Sequence, residues 1–342
     1  MVNLEKLFRK FHFHIFLYRV LIYNIRGKLF CKERKDYTMA NIIAVVWDFD
    51  KTLIKEYMQT PIFQDNGIDG NEFWSEVDQL PEKYFREQNV RVNPENIYLN
   101  HMINYAKSRR FKGLTNKKLR EYGKELKFYE GVPQIFRDAK NVVLENPAYR
   151  EYSIEVEHYI VSTGQTEIIR GSQVADYVED IWGCQFIEGD DGEGGRCISE
   201  IGYTVDNTSK TRALFEINKG TNKRDDIKVN TSIPKEARRV RFENMIYIAD
   251  GPSDVPAFSV VNSYGGSTFA VYPHGDMKAL KQVEQMREDG RIQMYAEADY
   301  SQSTTANLWI CNKIRELADR IVIEEREKIR KNYGGKPPVH LK

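Results

Sequence analysis

Two aspartates one residue apart stand in the run Asp48-Phe49-Asp50-Lys51-Thr52, directly after an unbroken apolar stretch from Ile42 to Trp47. Carboxylates at this spacing can divide labour. One serves as a nucleophile or as a ligand to a hard cation, and the other carries a proton to or from a reacting oxygen. Two more polar runs follow apolar stretches in the same manner: Tyr159-Ile160-Val161 leads into Ser162-Thr163-Gly164, and Met245 to Ala249 leads into Asp250, with Ser253 and Asp254 shortly after. Carboxylates collected from separate segments repel one another unless a cation sits among them. Mg²⁺ typically takes one or two carboxylates together with water and substrate phosphate.

The elements that must position these residues are legible in outline. The run Ile42 to Trp47, rich in β-branched residues and ending in acids, has the pattern of a strand buried on both faces of a parallel sheet. Tyr159 to Val161, Met245 to Ala249 and Phe269 to Val271 repeat that pattern. From Tyr57 to Lys127 the apolar positions fall at helical spacing, as in Phe73, Trp74, Val77 and Leu80, and in Leu99, Met102, Ile103 and Ala106. Gly131-Val132-Pro133 opens a helix with Ile135, Phe136 and Ala139. Helices are expected over Thr166 to Ile181, Lys210 to Asn218 and Thr305 to Lys331. Strands are expected at Gln185 to Ile187 and Cys197 to Val205, flanking a glycine-rich turn, and a charged loop over Thr221 to Arg241. Strands alternating with helices predict a doubly wound parallel α/β sheet, in which ligands bind beyond the carboxyl ends of the strands.

These motifs resemble the four of the haloacid dehalogenase superfamily, in that family's order and at its strand-end positions. Asp48 to Thr52 is similar to the first, Val161-Ser162-Thr163-Gly164 to the second, Lys210 to the third, and Ala249-Asp250-Gly251-Pro252-Ser253-Asp254 to the fourth. The match runs over roughly 42–272. The resemblance implies a Rossmann-like core over 39–56 and 128–331, with a helical cap inserted at 57–127. It also implies a division of roles: Asp48 attacks phosphorus and forms an aspartyl-phosphate, and Asp50 serves as general acid and then base. Mg²⁺ is held by Asp48, Asp250 and the backbone carbonyl of Asp50. Thr52, Ser162, Thr163, Gly164 and Lys210 bind phosphate, with Asp254 and Ser253 in support.

Asp50 speaks against the dehalogenase branch, since expelling a halide needs no acid. The helical insertion, Phe128 to Pro133 and Ser162-Thr163-Gly164 resemble the phosphoserine-phosphatase-like members. Ser253 and Thr163 depart from the Asn and Gly common there, and the cap is longer, so the leaving group stays open. The reading is a Mg²⁺-dependent phosphatase acting on a small phosphorylated metabolite. Its rivals are a phosphotransferase or phosphomutase in the same fold, and a non-catalytic phosphate-binding or interaction protein.

Composition narrows the partners. In 342 residues, 51 Lys and Arg nearly cancel 50 Asp and Glu, leaving no global field to hold nucleic acid or an anionic membrane. Four cysteines without C-x-x-C spacing suit a reducing cytoplasm rather than a disulfide framework. The apolar stretch Phe11 to Ile25 is interrupted by Arg19 and falls short of the roughly 20 residues of a membrane span. Met39 is therefore expected to open the functional domain, with 1–38 as an extension outside the fold. The competing reading of that extension is an amphipathic surface-binding segment. A flexible tail is expected over 332–342, and a homodimer is compatible with the sequence. Lys107, Arg109, Arg110 and Lys112 read as the solvated end of a helix or as a contact for an anionic substrate. Asp190-Asp191-Gly192-Glu193 lacks calcium-loop spacing and reads as a hairpin turn.

Overall fold

A computed structural model describes residues 41–333. The expectations for 1–38 and for 334–342 lie outside the described residues. Seven strands form one sheet: β1 (Asn41–Trp47), β2 (Ile154–Gln165), β3 (Asp180–Asp190), β4 (Arg196–Tyr203), β5 (Met245–Ala249), β6 (Ser267–Tyr272) and β7 (Met294–Glu297). Their spatial order is β4-β3-β2-β1-β5-β6-β7. All neighbours are parallel except β3 and β4, which form an antiparallel hairpin at the edge. The sheet is thus a parallel α/β sheet wound outwards in both directions from β1. Trp47 stands opposite Ile160 on one side and Ile248 on the other, so β1 and β5 end side by side while β2 continues past them to Gln165. That is the switch point at which a crevice opens.

The apolar run of β1 is buried on both faces. Ile43, Val45 and Trp47 join the core that contains Ile310 and Ile314 of the final helix, whereas Ala44 and Val46 alternate to the opposite face and are equally buried. On one side lie α5 (Gln134–Leu144), α6 (Pro147–Glu151) and the 29-residue α11 (Thr305–Tyr333). Packed against each other are α8 (Lys210–Lys219) and α9 (Val255–Ser263), the latter against β5 and β6. The helix α10 (Met277–Glu288) packs on β6 and β7. Among the described residues, no helix is long and apolar enough to cross a membrane.

Beside β7 and the helices α6, α9 and α10, which lie outside the sequence expectation, two elements next to the site differ from that expectation. The second strand is twelve residues long rather than three, because its polar positions are satisfied by tertiary partners that a linear pattern does not show. Glu157 pairs with the Arg239 guanidinium, which also donates to Tyr159 Oη at 2.9 Å. His158 Nδ1 accepts from Trp47 Nε1 at 3.2 Å, and its Nε2 lies 3.1 Å from the Phe136 carbonyl. The helix expected over Thr166 to Ile181 stops at Gly171: α7 is Thr166–Gly171, and Asp180 to Trp182 pair instead with Tyr159 to Val161 in the sheet. A Cβ on Gly171 would lie 1.9 Å from the Arg120 carbonyl oxygen. The short helix is therefore wedged against another chain segment at its last residue.

That segment belongs to the inserted helices, α1 (Thr60–Asn66), α2 (Gly70–Gln88), α3 (Ile97–Lys107) and α4 (Asn116–Gly123). The insertion leaves and returns at one place. Lys55 N donates to the Lys127 carbonyl at 2.9 Å, and Ile54 bridges to Phe128. Asp69 and Thr115 cap α2 and α4 by accepting the backbone N–H groups of Asn71 and Lys118. Phe73, Val77 and Leu80 of α2 are buried at helical spacing. Asp190 to Glu193 form the β3–β4 turn, where Asp191 accepts backbone bonds from Glu193 and Gly195. The basic run at the end of α3 is partly ion-paired: Arg110 lies over the Tyr105 ring and near Glu72 and Glu76, and Arg109 meets Glu193.

Candidate active site

The end of β1 is continued by one more bond, Asp48 N to the Ile248 carbonyl at 2.9 Å, which carries Asp48 beyond the sheet beside the end of β5. The chain then folds back tightly. The Phe49 carbonyl accepts from Thr52, Leu53 and Ile54, and Lys51 takes a φ of 57°. Buried Tyr300, just before α11, donates its hydroxyl to the Thr52 carbonyl at 2.7 Å and holds the loop from below. Thr52 Oγ1 in turn donates to Asp48 Oδ2 at 3.1 Å.

Lys210 opens α8, whose start is ordered by Asp206: its carboxylate accepts the Ser209 N–H at 2.6 Å. This delivers Lys210, only 1% exposed, into the crevice. Its ammonium lies 2.6 Å from Asp48 Oδ1 and 2.6 Å from Asp254 Oδ1. A buried charge is tolerated only when paired, and here two carboxylates share it. Asp254 is completely buried and also accepts from Tyr247 Oη at 2.5 Å and Ser253 Oγ at 2.9 Å. Four of the expected residues, Asp48, Lys210, Asp254 and Ser253, therefore form one hydrogen-bonded chain, extended by Thr52.

Asp250, one residue past β5, lies beside that chain. Asp48, Asp250 and Asp254 can each offer a carboxylate oxygen within 4.8 Å of the others. Burial raises the Asp250 carboxyl far above its usual range, and the charges of Asp48 and Asp254 add to the rise. Asp48 is raised by the same burial, opposed by Lys210. Crowded hard oxygens with too little positive charge among them fit Mg²⁺. Asp254 is committed to Lys210, Tyr247 and Ser253, so Asp48 and Asp250 are the carboxylates best placed to hold the ion. The Asp50 side chain is outside that cluster.

Asp50 faces elsewhere. Its Oδ1 accepts the Met58 N–H at 2.9 Å. Burial pushes its carboxyl well above the ordinary value, and the charge of Asp48 pushes further, with the Met58 bond opposing. Lys51 donates to Tyr57 Oη at 2.9 Å. Burial works against the lysine's charge, but the Tyr57 bond, Asp250 and Asp50 outweigh it and hold the ammonium protonated.

The second motif is at the end of β2. Buried Ser162 accepts the Gly164 N–H on its hydroxyl at 3.0 Å. The Met58 side chain packs closely on Gly164, where a Cβ would lie 2.2 Å from its Cε. Thus the residue that anchors Asp50 also packs on the second motif. The Thr163 side chain makes no hydrogen bond in the described structure, whereas its carbonyl accepts from Tyr98 Oη at 2.6 Å and from the Cys184 thiol.

Sequence reasoning missed Tyr247, Tyr300, Met58, Gln165 and Tyr98. Gln165 directly follows the second motif and is tied to Gln59 at 2.9 Å and to Tyr98 Oη at 3.0 Å. Its position after Gly164 was a usable signal; the others become visible only when distant segments meet. Burial raises the Tyr98 phenol well above its ordinary value, with smaller contributions from Cys184 and Asp50.

Strand order, crevice and converging carboxylates define a doubly wound α/β protein with an acidic strand-end site, in agreement with the arrangement that the haloacid dehalogenase resemblance implies. No family model matches the chain. An uncharacterized protein of Borreliella burgdorferi is 36% identical over 287 residues, spanning 80% of this chain and 97% of that protein. The chain belongs to the same family as that protein.

Among solved structures, a probable phosphoserine phosphatase from Vibrio cholerae superposes with a TM-score of 0.47 at 13% identity, over 82% of this chain and 67% of that one. A HAD family hydrolase from Salmonella enterica serovar Typhi gives 0.45 at 15%, over 75% and 67%. A phospho-aspartyl intermediate analogue of phosphoserine phosphatase gives 0.45 at 14%, over 75% and 93%. Likeness at this level assigns no activity. The fold is defined by this chain's own topology, and its chemistry by its own residues.

Proposed function

We propose that this protein is a Mg²⁺-dependent phosphatase that hydrolyses a small phosphomonoester through an aspartyl-phosphate on Asp48. The observation that carries the reading is the split between the two carboxyls of the first motif. Asp48 is paired directly with the Lys210 ammonium, which favours the ionised, nucleophilic form. Asp50 has no cation bonded to it, is half-buried beside a negative neighbour, and favours the protonated form. Two carboxyls driven apart in this way are an acid and a nucleophile.

In the first step an Asp48 oxygen bonds to phosphorus, the ester P–O bond breaks, and Asp50 passes its proton to the leaving oxygen. In the second, Asp50 takes a proton from water as that water bonds to phosphorus. The acyl phosphate bond breaks, inorganic phosphate departs, and the Asp48 carboxylate is restored. Lys210, held by Asp254, and the Ser162 hydroxyl would bind the phosphoryl oxygens. Mg²⁺, held by Asp48, Asp250 and the Asp50 carbonyl, would supply positive charge to the transferring group. The helices at 57–127 would act as a cap that excludes bulk water.

With Mg²⁺, the purified protein should release phosphate from an aryl phosphomonoester. Asp48→Asn should lower kcat by about 10³-fold or more, as expected when the nucleophile is removed. Release of phosphate by Asp48→Asn at the unmodified rate would end the covalent reading.

A further inference from the structure

Lys51 is the charged residue of the first motif without a part in this chemistry, and its setting is unusual. It adopts the left-handed backbone region that favours glycine, which places its side chain on Tyr57: Nζ lies 2.9 Å from the hydroxyl and 4.2 Å from the ring centroid. The ammonium makes no salt bridge among the described residues, and the ring beneath it is 45% exposed. From Tyr57 a row of rings continues to Trp74 at 5.7 Å and from Trp74 to Tyr98 at 5.7 Å. Tyr98 then donates to the Thr163 carbonyl. Lys51, which holds the first ring, directly follows Asp50, and the last ring bonds to the residue that follows Ser162. A leaving group must reach the Asp50 carboxyl to be protonated, and it therefore meets this row and the Lys51 ammonium beside it.

Building on the phosphatase reading, we propose that Lys51 with Tyr57, Trp74 and Tyr98 selects the leaving group: a flat unsaturated ring bearing an anionic substituent, of which a carboxylate is the simplest. A ring stacks at the exposed Tyr57 end of the row, while the substituent pairs with an ammonium that makes no salt bridge among the described residues and feels Asp50 and Asp250 only from beyond contact.

The test compares phenyl phosphate with 4-carboxyphenyl phosphate in the wild type and in Lys51→Met, with calorimetric binding of both esters to Asp48→Asn and to Asp48→Asn combined with Lys51→Met. Lys51→Met should lower kcat/KM for the carboxylated ester about tenfold more than for the phenyl ester, the size of one partly exposed charge-assisted contact. Binding to the Asp48→Asn proteins should show the same preference lost. Turnover of both esters with an unchanged ratio in Lys51→Met overturns the selection and leaves the phosphatase reading intact. Lys51-dependent binding without turnover by the wild type overturns hydrolysis and leaves the selection standing. Neither binding nor turnover of either ester overturns both.

Discussion

The crevice has two unlike sides. Its floor, at the ends of β1 and β5 and the last residues of β2, is charged: Asp48 and Asp254 share the Lys210 ammonium, Asp250 lies beside them, and nearly every bond involves an ion. Its inserted side is neutral. Gln59 bonds to Gln165, Gln165 to Tyr98, and Tyr98 to the Thr163 carbonyl, beside a row of aromatic rings. The floor has the properties of a reaction site, with charge fixed by buried partners before substrate arrives. The inserted side has those of a recognition surface, built from adaptable polar groups and flat apolar ones. On the proposed phosphatase reading, one chain would thus separate what is done to a phosphoryl group from what chooses the molecule that carries it.

The strongest challenge to that division is Lys210→Met. Removing the shared cation leaves Asp48 and Asp254 buried and unpaired, and breaking a buried pair typically costs about 3–5 kcal/mol. Phosphatase activity should fall by about 10³-fold, comparable to losing a principal electrostatic contact in a transition state. Denaturant unfolding should move to a lower midpoint in parallel. An active, equally stable variant would show that the floor is not organised around this lysine.

A smaller effect should come from the seam between the two sides. A Cβ on Gly171 would meet the Arg120 carbonyl at 1.9 Å, and one on Gly123 would meet the Ile168 carbonyl at 2.1 Å. The helices α4 and α7 therefore touch backbone to backbone, directly after the second motif. Gly171→Ala should destabilise by about 1–3 kcal/mol, as overpacking commonly does. It should also raise KM, because the inserted helices are pushed off the β2 end. A variant with unchanged stability and unchanged KM would mean that this contact does not set the geometry of the recognition side.

The same contrast governs what the sequence makes legible. The floor is written in consecutive residues: apolar strands ending in Asp48, Ser162 and Asp250 announce themselves, and Lys210 follows at the head of a helix. Position and residue type together carry that information. The recognition side is assembled from segments far apart in the chain, so Tyr98 acquires meaning only once α3 has docked against the end of β2. Length was misread for a related reason. Glu157 and His158 look like loop residues until Arg239, 82 positions after Glu157, and Trp47 supply their partners. The premature end of α7 follows from a backbone contact with Arg120, which no local propensity encodes.

His158 gives the mildest test, because it lies beneath the floor rather than in it. Burial, reinforced by the charge of Lys140, depresses its imidazole to about 3, so it stays neutral in the folded protein. An unfolded histidine titrates near 6.5. Between these values the unfolded chain binds one more proton than the folded one, so the contribution of His158 to stability is fully present above about pH 6.5. It is then lost at up to about 1.4 kcal/mol per pH unit as the pH falls towards 3. Urea unfolding of the wild type at pH 7.5, 6.5 and 5.5 should show this loss. His158→Gln, which cannot take up the proton, should lack it and be less stable at pH 7.5 through the altered contact with Trp47. Taking the difference between the two proteins removes the raised carboxyls of the floor, which titrate in both. If the two curves run parallel from pH 7.5 to 5.5, His158 is not the buried neutral support of β1 that its bonds to Trp47 and to the Phe136 carbonyl describe.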